Sequence, residues 1–173
     1  NCHCEVKLDS RRSIVYDNKL SLGSTFKLNT DLKTPFRAFR SLLIDVEQTG
    51  SISRFNHKAN MKVITAQGES SYDSSVRMAG WRMINGQVTI NTPFAQMRQA
   101  QMSLNHGLRG AAWMTDFDMT LPTSDKIVFN SNVNLEEMSL DMKLQTPFTE
   151  DIALTANRAI KGGEMVAVTS FTY

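Results

Sequence analysis

Few residues in this 173-residue chain are of types that do chemistry, and their spacing limits what they could do. The two cysteines stand with a histidine between them as Cys2-His3-Cys4. Such a cluster could ligate a metal, but structural zinc sites usually bring two spaced pairs, and His57 and His106 are distant in sequence. A bridge between Cys2 and Cys4 would close a tight, strained ring. Pairing through Cys2 or Cys4 with other chains of the same or a related precursor is the easier chemistry, and it implies an oxidising, extracellular setting. Asp116 with Asp118, and Glu136 with Glu137, are the carboxylate pairs an acid–base site would draw on. Acidic residues at alternate positions of a strand are more often a solvated face. No G-x-S-x-G, H-E-x-x-H or glycine-rich phosphate loop occurs, and none of the histidines, which lie near turns or in polar stretches, is spaced from a Ser or Cys as a nucleophile pair would be. The expectation is a protein that is not an enzyme, with no required cofactor and no metal site.

A different chemistry is offered by the ten methionines. Several stand beside aromatics: Met78, Trp81 and Met83, then Trp113, Met114, Phe117 and Met119, with Met138 and Met142 near position 140. Thioether side chains are flexible and polarizable and adapt to irregular apolar partners. A wall built from Met78, Trp81, Met83, Trp113, Phe117 and Met119 would suit a long-chain lipid, a sterol or a carotenoid, and the conjugated ligand would stack on Trp81 or Trp113. Ordinary core filling between two sheets accounts for the same residues.

The elements that carry these side chains are strands. Met138, Leu140, Met142 and Leu144 alternate with Ser139, Asp141, Lys143 and Gln145. Trp113, Phe117 and Met119 alternate with Asp116, Asp118 and Thr120, and Leu42, Ile44 and Val46 repeat the pattern. Period two predicts strands with one apolar and one polar face. Ala95–Leu104 is rich in helix formers but also alternates, and it is read as strand. Gly50-Ser51, Gly68-Glu69, Asn85-Gly86, His106-Gly107, Pro122-Thr123-Ser124 and Gly162-Gly163 are the turn signals, with Asn85-Gly86 the strongest. The prediction is an all-β single domain over residues 1–173. It has antiparallel sheets of roughly ten to twelve strands with one apolar face, open or closed as a sandwich or barrel.

One phrase recurs. Thr34-Pro35-Phe36, Thr92-Pro93-Phe94 and Thr146-Pro147-Phe148 hold three of the chain's four prolines, and each is preceded by a branched apolar residue: Leu32, Ile90 and Leu144. Each copy sits between two alternating stretches. Proline fixes φ and lacks an N–H, so it ends a ladder, and the preceding Thr is held extended. Phe is expected to pin the corner to a layer beneath. The spacing predicts a repeated two- or four-strand unit of about 55 residues.

Strand pairs hinged on L-x-T-P-F or I-N-T-P-F resemble the repetitive β-sheet regions of the large lipid transfer proteins, the family of apolipoprotein B, the apolipophorins and the vitellogenins. That family's N-terminal lipid-transfer module and helical domain are not evident here. The resemblance implies a secreted protein whose apolar sheet face binds lipid.

The expected partner is a hydrophobic small molecule, and bulk composition disfavours two other classes of partner. The net charge is +2 and only Arg11 and Arg12 adjoin among the basic residues, so no basic stripe tracks a nucleic acid. No apolar run is long enough for a transmembrane helix. The chain starts at Asn1 without a leader, which suggests a fragment processed from a longer precursor. The sequence thus predicts a secreted carrier of lipid or carotenoid, with an oligomer-forming β module lacking ligand as the alternative.

Overall fold

The computed structural model describes residues 1–51, 53–161 and 164–173. Thirteen strands form one antiparallel sheet in which spatial order equals chain order. They are β1 (Cys2–Lys7), β2 (Ser13–Ser21), β3 (Thr25–Lys33), β4 (Phe39–Ser51), β5 (Arg54–Thr65), β6 (Gly68–Ala79) and β7 (Met83–Asn91). There follow β8 (Gln99–Arg109), β9 (Ala112–Thr120), β10 (Lys126–Asn134), β11 (Ser139–Thr146), β12 (Thr149–Lys161) and β13 (Glu164–Thr172). The fold is all-β, as expected, and of the three closures weighed it is the open one. Among the described residues the one helical element is a 3-10 turn, Ala95–Met97, between β7 and β8. The stretch read as strand from Ala95 therefore starts its ladder only at Gln99.

Cross-strand register turns the alternation into two faces. One row runs Leu20, Leu28, Val46, Ala59, Ser74, Val88, Met102, Met119 and Ile127. The row one residue along runs Lys19, Asn29, Asp45, Asn60, Asp73, Thr89, Gln101, Thr120 and Lys126. Successive side chains point to opposite sides of the sheet, so these rows belong to opposite faces. Asp116, Asp118, Asn130, Asn132, Asn134, Asp141 and Lys143, all read from the sequence as water-facing, share the second face through their pairing.

No hydrophobic side chain among the described residues is fully buried. Thr30, 8% exposed, is the one buried polar residue among those described. Globular domains bury a sheet's apolar face against a second layer. Here no described element supplies that layer.

Two turn expectations need correction. Asn85-Gly86 lies within β7, paired with Arg77-Val76 on one side and Asn105-Leu104 on the other. The reversal occurs at Gly80-Trp81-Arg82, where Gly80 has φ of +58° and its N–H donates to the Ser53 carbonyl at 2.7 Å. His106-Gly107 lies within β8, and the chain reverses instead at Gly110, φ +63°. In both cases a glycine at positive φ a few residues away takes the turn, and the first pair stays extended. Gly162-Gly163 lies outside the described residues.

The three Thr-Pro-Phe corners join β3 to β4, β7 to β8 and β11 to β12. They recur every four strands and fall on the same rim of the sheet, so the repeat is the four-strand unit. Each is built alike: the Phe N–H donates to the Thr hydroxyl at 3.3 Å, from Phe36 to Thr34, Phe94 to Thr92 and Phe148 to Thr146. In the first two the Thr hydroxyl also donates onward, to the carbonyls of Phe39 and Met97. Their Thr N–H groups bond the carbonyls six residues on, Arg40 at 2.8 Å and Arg98 at 2.9 Å. The third corner is tighter and closes from Thr146 to Thr149. The phenylalanines do not pin the corner to a layer beneath. Phe36, Phe94 and Phe148 are 48%, 55% and 72% exposed, because the sheet has no such layer among the described residues.

Candidate functional site: the apolar face

Among the side chains with wall-forming character, the register brings together four of those singled out from the sequence. Phe117 stands between Leu104 and Phe129, and that row continues through Leu144 to Ile152. Met119 lies two residues along β9 on the same face, between Met102 and Ile127. Trp113 lies four residues the other way, between Leu108 and Val133. Met78 joins this set at a distance, through Ile84 and His106 across β7 and β8. Met142 extends the wall in β11, between Ser131 and Leu154.

Trp81, Met83, Met114 and Met138 stand apart from the wall. Trp81 is in the β6–β7 turn and 79% exposed, at the rim opposite the Thr-Pro-Phe corners. Met83 opens β7 on the polar face, opposite Gly107, since Ile84 carries the apolar parity. Met114 faces Asn132 across the β9–β10 pair, again on the polar side. Met138 occupies a turn at φ +50° and receives an Arg158 N–H on its sulfur at 3.4 Å.

The histidines are placed differently from their expected turn or polar settings. His57 and His106 are both inside strands on the apolar face, because they share parity with Ala59 and Leu104. His106 stacks on Trp113 with ring centroids 5.4 Å apart and an interplanar angle of 16°. Its Nδ1 is 2.8 Å from the Thr115 hydroxyl, so the ring's polar atom is satisfied within the wall. His57 lies parallel to Phe55 at 6.2 Å. Sequence alternation held this information for both residues. What it lacked was the strand boundary, obscured by the adjacent glycine at 107 and by the polar neighbours Asn56 and Lys58.

At the β1 edge, alternation separates the metal-type residues. Cys2 and Cys4 pair with Asn18 and Tyr16 on the apolar face, and His3 pairs with Asp17 on the other. His3 Nδ1 and Asp17 Oδ1 are 2.6 Å apart. That hydrogen bond, then the charge of Asp17, raises the His3 pKa above its ordinary 6.5. Both cysteines are exposed and unbridged. Among the described residues no three His, Cys, Asp or Glu side chains cluster as a metal site.

The polar face is laced by short bonds between amides, carboxylates and lysines. Asn130 donates to Asp116 at 3.0 Å, Asn29 donates to Asp45, and Lys27–Glu47 and Lys62–Glu69 pair at 3.0 and 2.7 Å. Asp116 is thus occupied by an amide donor, and the N–H groups of Glu136 and Glu137 donate to Asn134 Oδ1 in the β10–β11 turn. A hollow of about 760 Å³ also lies on this face, lined by Glu47, Lys58, Arg77, Gln87 and Asn105. The apolar side by contrast is an open wall. What it offers is dispersion contact and burial over a broad, methionine-studded surface. No helix among the described residues is long and apolar enough to cross a membrane.

A search of protein-family models, of curated proteins and of solved structures finds no match to this chain.

Proposed function

We propose that this protein is a secreted, non-enzymatic carrier whose apolar sheet face binds a lipid or a carotenoid. One observation carries the reading: a thirteen-strand sheet has one predominantly apolar face, and no described part of the chain covers it. With strands about 4.8 Å apart and about 30 Å long, that face spans roughly 1,700 Å². Exposed apolar patches on soluble monomers are normally a few hundred Å², and larger ones mark a binding surface. Methionines at 61, 78, 102, 119 and 142 distribute adaptable side chains across the wall, as a ligand of variable shape requires. The resemblance of the Thr-Pro-Phe corners to the sheet regions of large lipid transfer proteins supports the same reading. The test is organic extraction of the native protein with mass spectrometry and an absorption spectrum. A lipid or polyene in stoichiometric amount is expected, and an empty extract from a soluble, folded monomer would refute the reading.

A second reading rests on the β1 edge. All six residues of β1 are exposed, Cys2 and Cys4 among them, and an open sheet edge pairs readily with another chain. In that case the apolar face is covered within a disulfide-tied oligomer. Light scattering with and without reductant separates the two readings: a ligand-free oligomer that dissociates on reduction favours the second.

A further inference from the structure

We propose that the rim carrying the Thr-Pro-Phe corners docks on an anionic lipid–water interface. This surface is separate from the apolar wall and does not depend on it. Phe36, Phe94 and Phe148 stand at equivalent places on one rim, four strands apart, hence about 19 Å from one to the next. About half or more of each residue is exposed. The Thr hydroxyl bonded to each Phe N–H holds the backbone at the corner, so less of the chain has to be ordered on contact. A large apolar group held in water at three repeated points is what an interfacial anchor requires.

The charges nearby say which interface. Arg37, Arg40 and Arg98 flank the first two corners, all exposed, and none is in an ion pair among the described residues. Of the carboxylates at or near the rim, Asp9 is bound to Arg12 at 2.6 Å, Asp31 to Lys33 at 2.9 Å and Glu69 to Lys62 at 2.7 Å, and Asp151 is held by Gln145 at 2.6 Å and Lys143 at 3.3 Å. Asp125 and Glu150 lie toward the β13 side. The stretch from Phe36 to Phe94 is therefore basic, which fits anionic headgroups beside inserted rings. The opposite rim also has exposed apolar residues at a four-strand interval, Leu22, Trp81 and Leu135, but they are not one residue type and no one corner hydrogen bond is repeated among them, and Glu136 and Glu137, in no ion pair among the described residues, stand beside Leu135.

The experiment is flotation of the full chain with vesicles of phosphatidylcholine alone and of phosphatidylcholine and phosphatidylserine in equal parts. Binding is expected to be stronger to the mixed vesicles and to fall as salt rises. The triple variant Phe36→Ser/Phe94→Ser/Phe148→Ser should lose at least about tenfold in partitioning to both. Arg37→Gln/Arg40→Gln/Arg98→Gln should lose about fivefold per arginine on the mixed vesicles only. Leu135→Ser, on the other rim, should bind as the parent does. Far-UV circular dichroism checks folding, and Phe148→Ser alone, at the most exposed and tightest corner, serves where the triple variant does not fold. Uptake of a fluorescent fatty acid separates this rim from the wall: corner variants should retain it. A parent that ignores both vesicles overturns the proposal. So does a folded triple variant that binds as the parent does, or a Phe117→Ala variant that loses vesicle binding while the corner variants keep it.

Discussion

Phe117 gives the sharpest test of the apolar wall. It is partly buried, between Leu104 and Phe129 in neighbouring strands, with Leu144 beyond. A phenylalanine buries on the order of 150–250 Å² when fully covered. Its neighbours already cover about two-thirds or more, so a ligand lying on the wall removes at most roughly 50–90 Å² more from water. At about 25 cal/mol per Å² this is worth about 1–2 kcal/mol, and Phe117→Ala forfeits most of it. The expected result is an affinity for a fluorescent fatty acid about five- to thirtyfold weaker, measured by titration and confirmed by displacement with an unlabelled one. Asp118→Ala, one residue along the same strand and on the polar face opposite Ser103, controls for damage to β9. Affinity within twofold of the parent for Phe117→Ala would refute the wall. Equal loss in Asp118→Ala would show that strand integrity, not contact, is being measured.

Three further outcomes are expected. Thr92→Val removes both hydroxyl bonds of its corner, to the Phe94 N–H and the Met97 carbonyl, and should cost about 1–2 kcal/mol, seen as a melting temperature about 2–8 °C lower. Gly107→Ala would place a Cβ 2.7 Å from the Arg82 carbonyl oxygen and should cost about 1–3 kcal/mol in urea denaturation, whereas Gly86→Ala, whose Cβ meets nothing nearer than 4.0 Å, should be neutral or better. His3 should titrate by NMR with a midpoint above 6.5, and Asp17→Asn should bring it back toward that value. Because the folded pKa is the raised one, the stabilising contribution of the His3–Asp17 pair is complete below 6.5 and lost as pH rises through the folded midpoint.

The alternation of Trp113, Phe117 and Met119 against Asp116 and Asp118 was enough to place those residues on opposite faces, and the three Thr-Pro-Phe phrases located three corners. Both are local properties: one follows from the two-residue period of a strand, the other from proline's missing donor. Trp81 and Met83 misled because they are near Met78 in sequence, and only the position of the turn decides whether neighbours share a strand. Asn85-Gly86 would make a good hairpin turn in isolation, but Gly80 reverses the chain first, and pairing on both sides holds Asn85 and Gly86 extended. Open against closed architecture was not legible at all. A sandwich, a barrel and a single sheet ask the same alternation of each strand, and they differ only in what meets the apolar side.

The four-strand period of the corners has a consequence for how such a sheet can change size. Four is even, so inserting or deleting one whole unit returns the chain to the same rim with the same side chains facing the same way. Duplication of a segment of this length would widen the sheet by about 19 Å and leave every existing pairing intact. An insertion with an odd number of strands would invert the direction of all that follows and strand the next corner on the wrong rim. The repeat thus acts as a gauge: surface can be gained in fixed increments, each arriving with its own hinge.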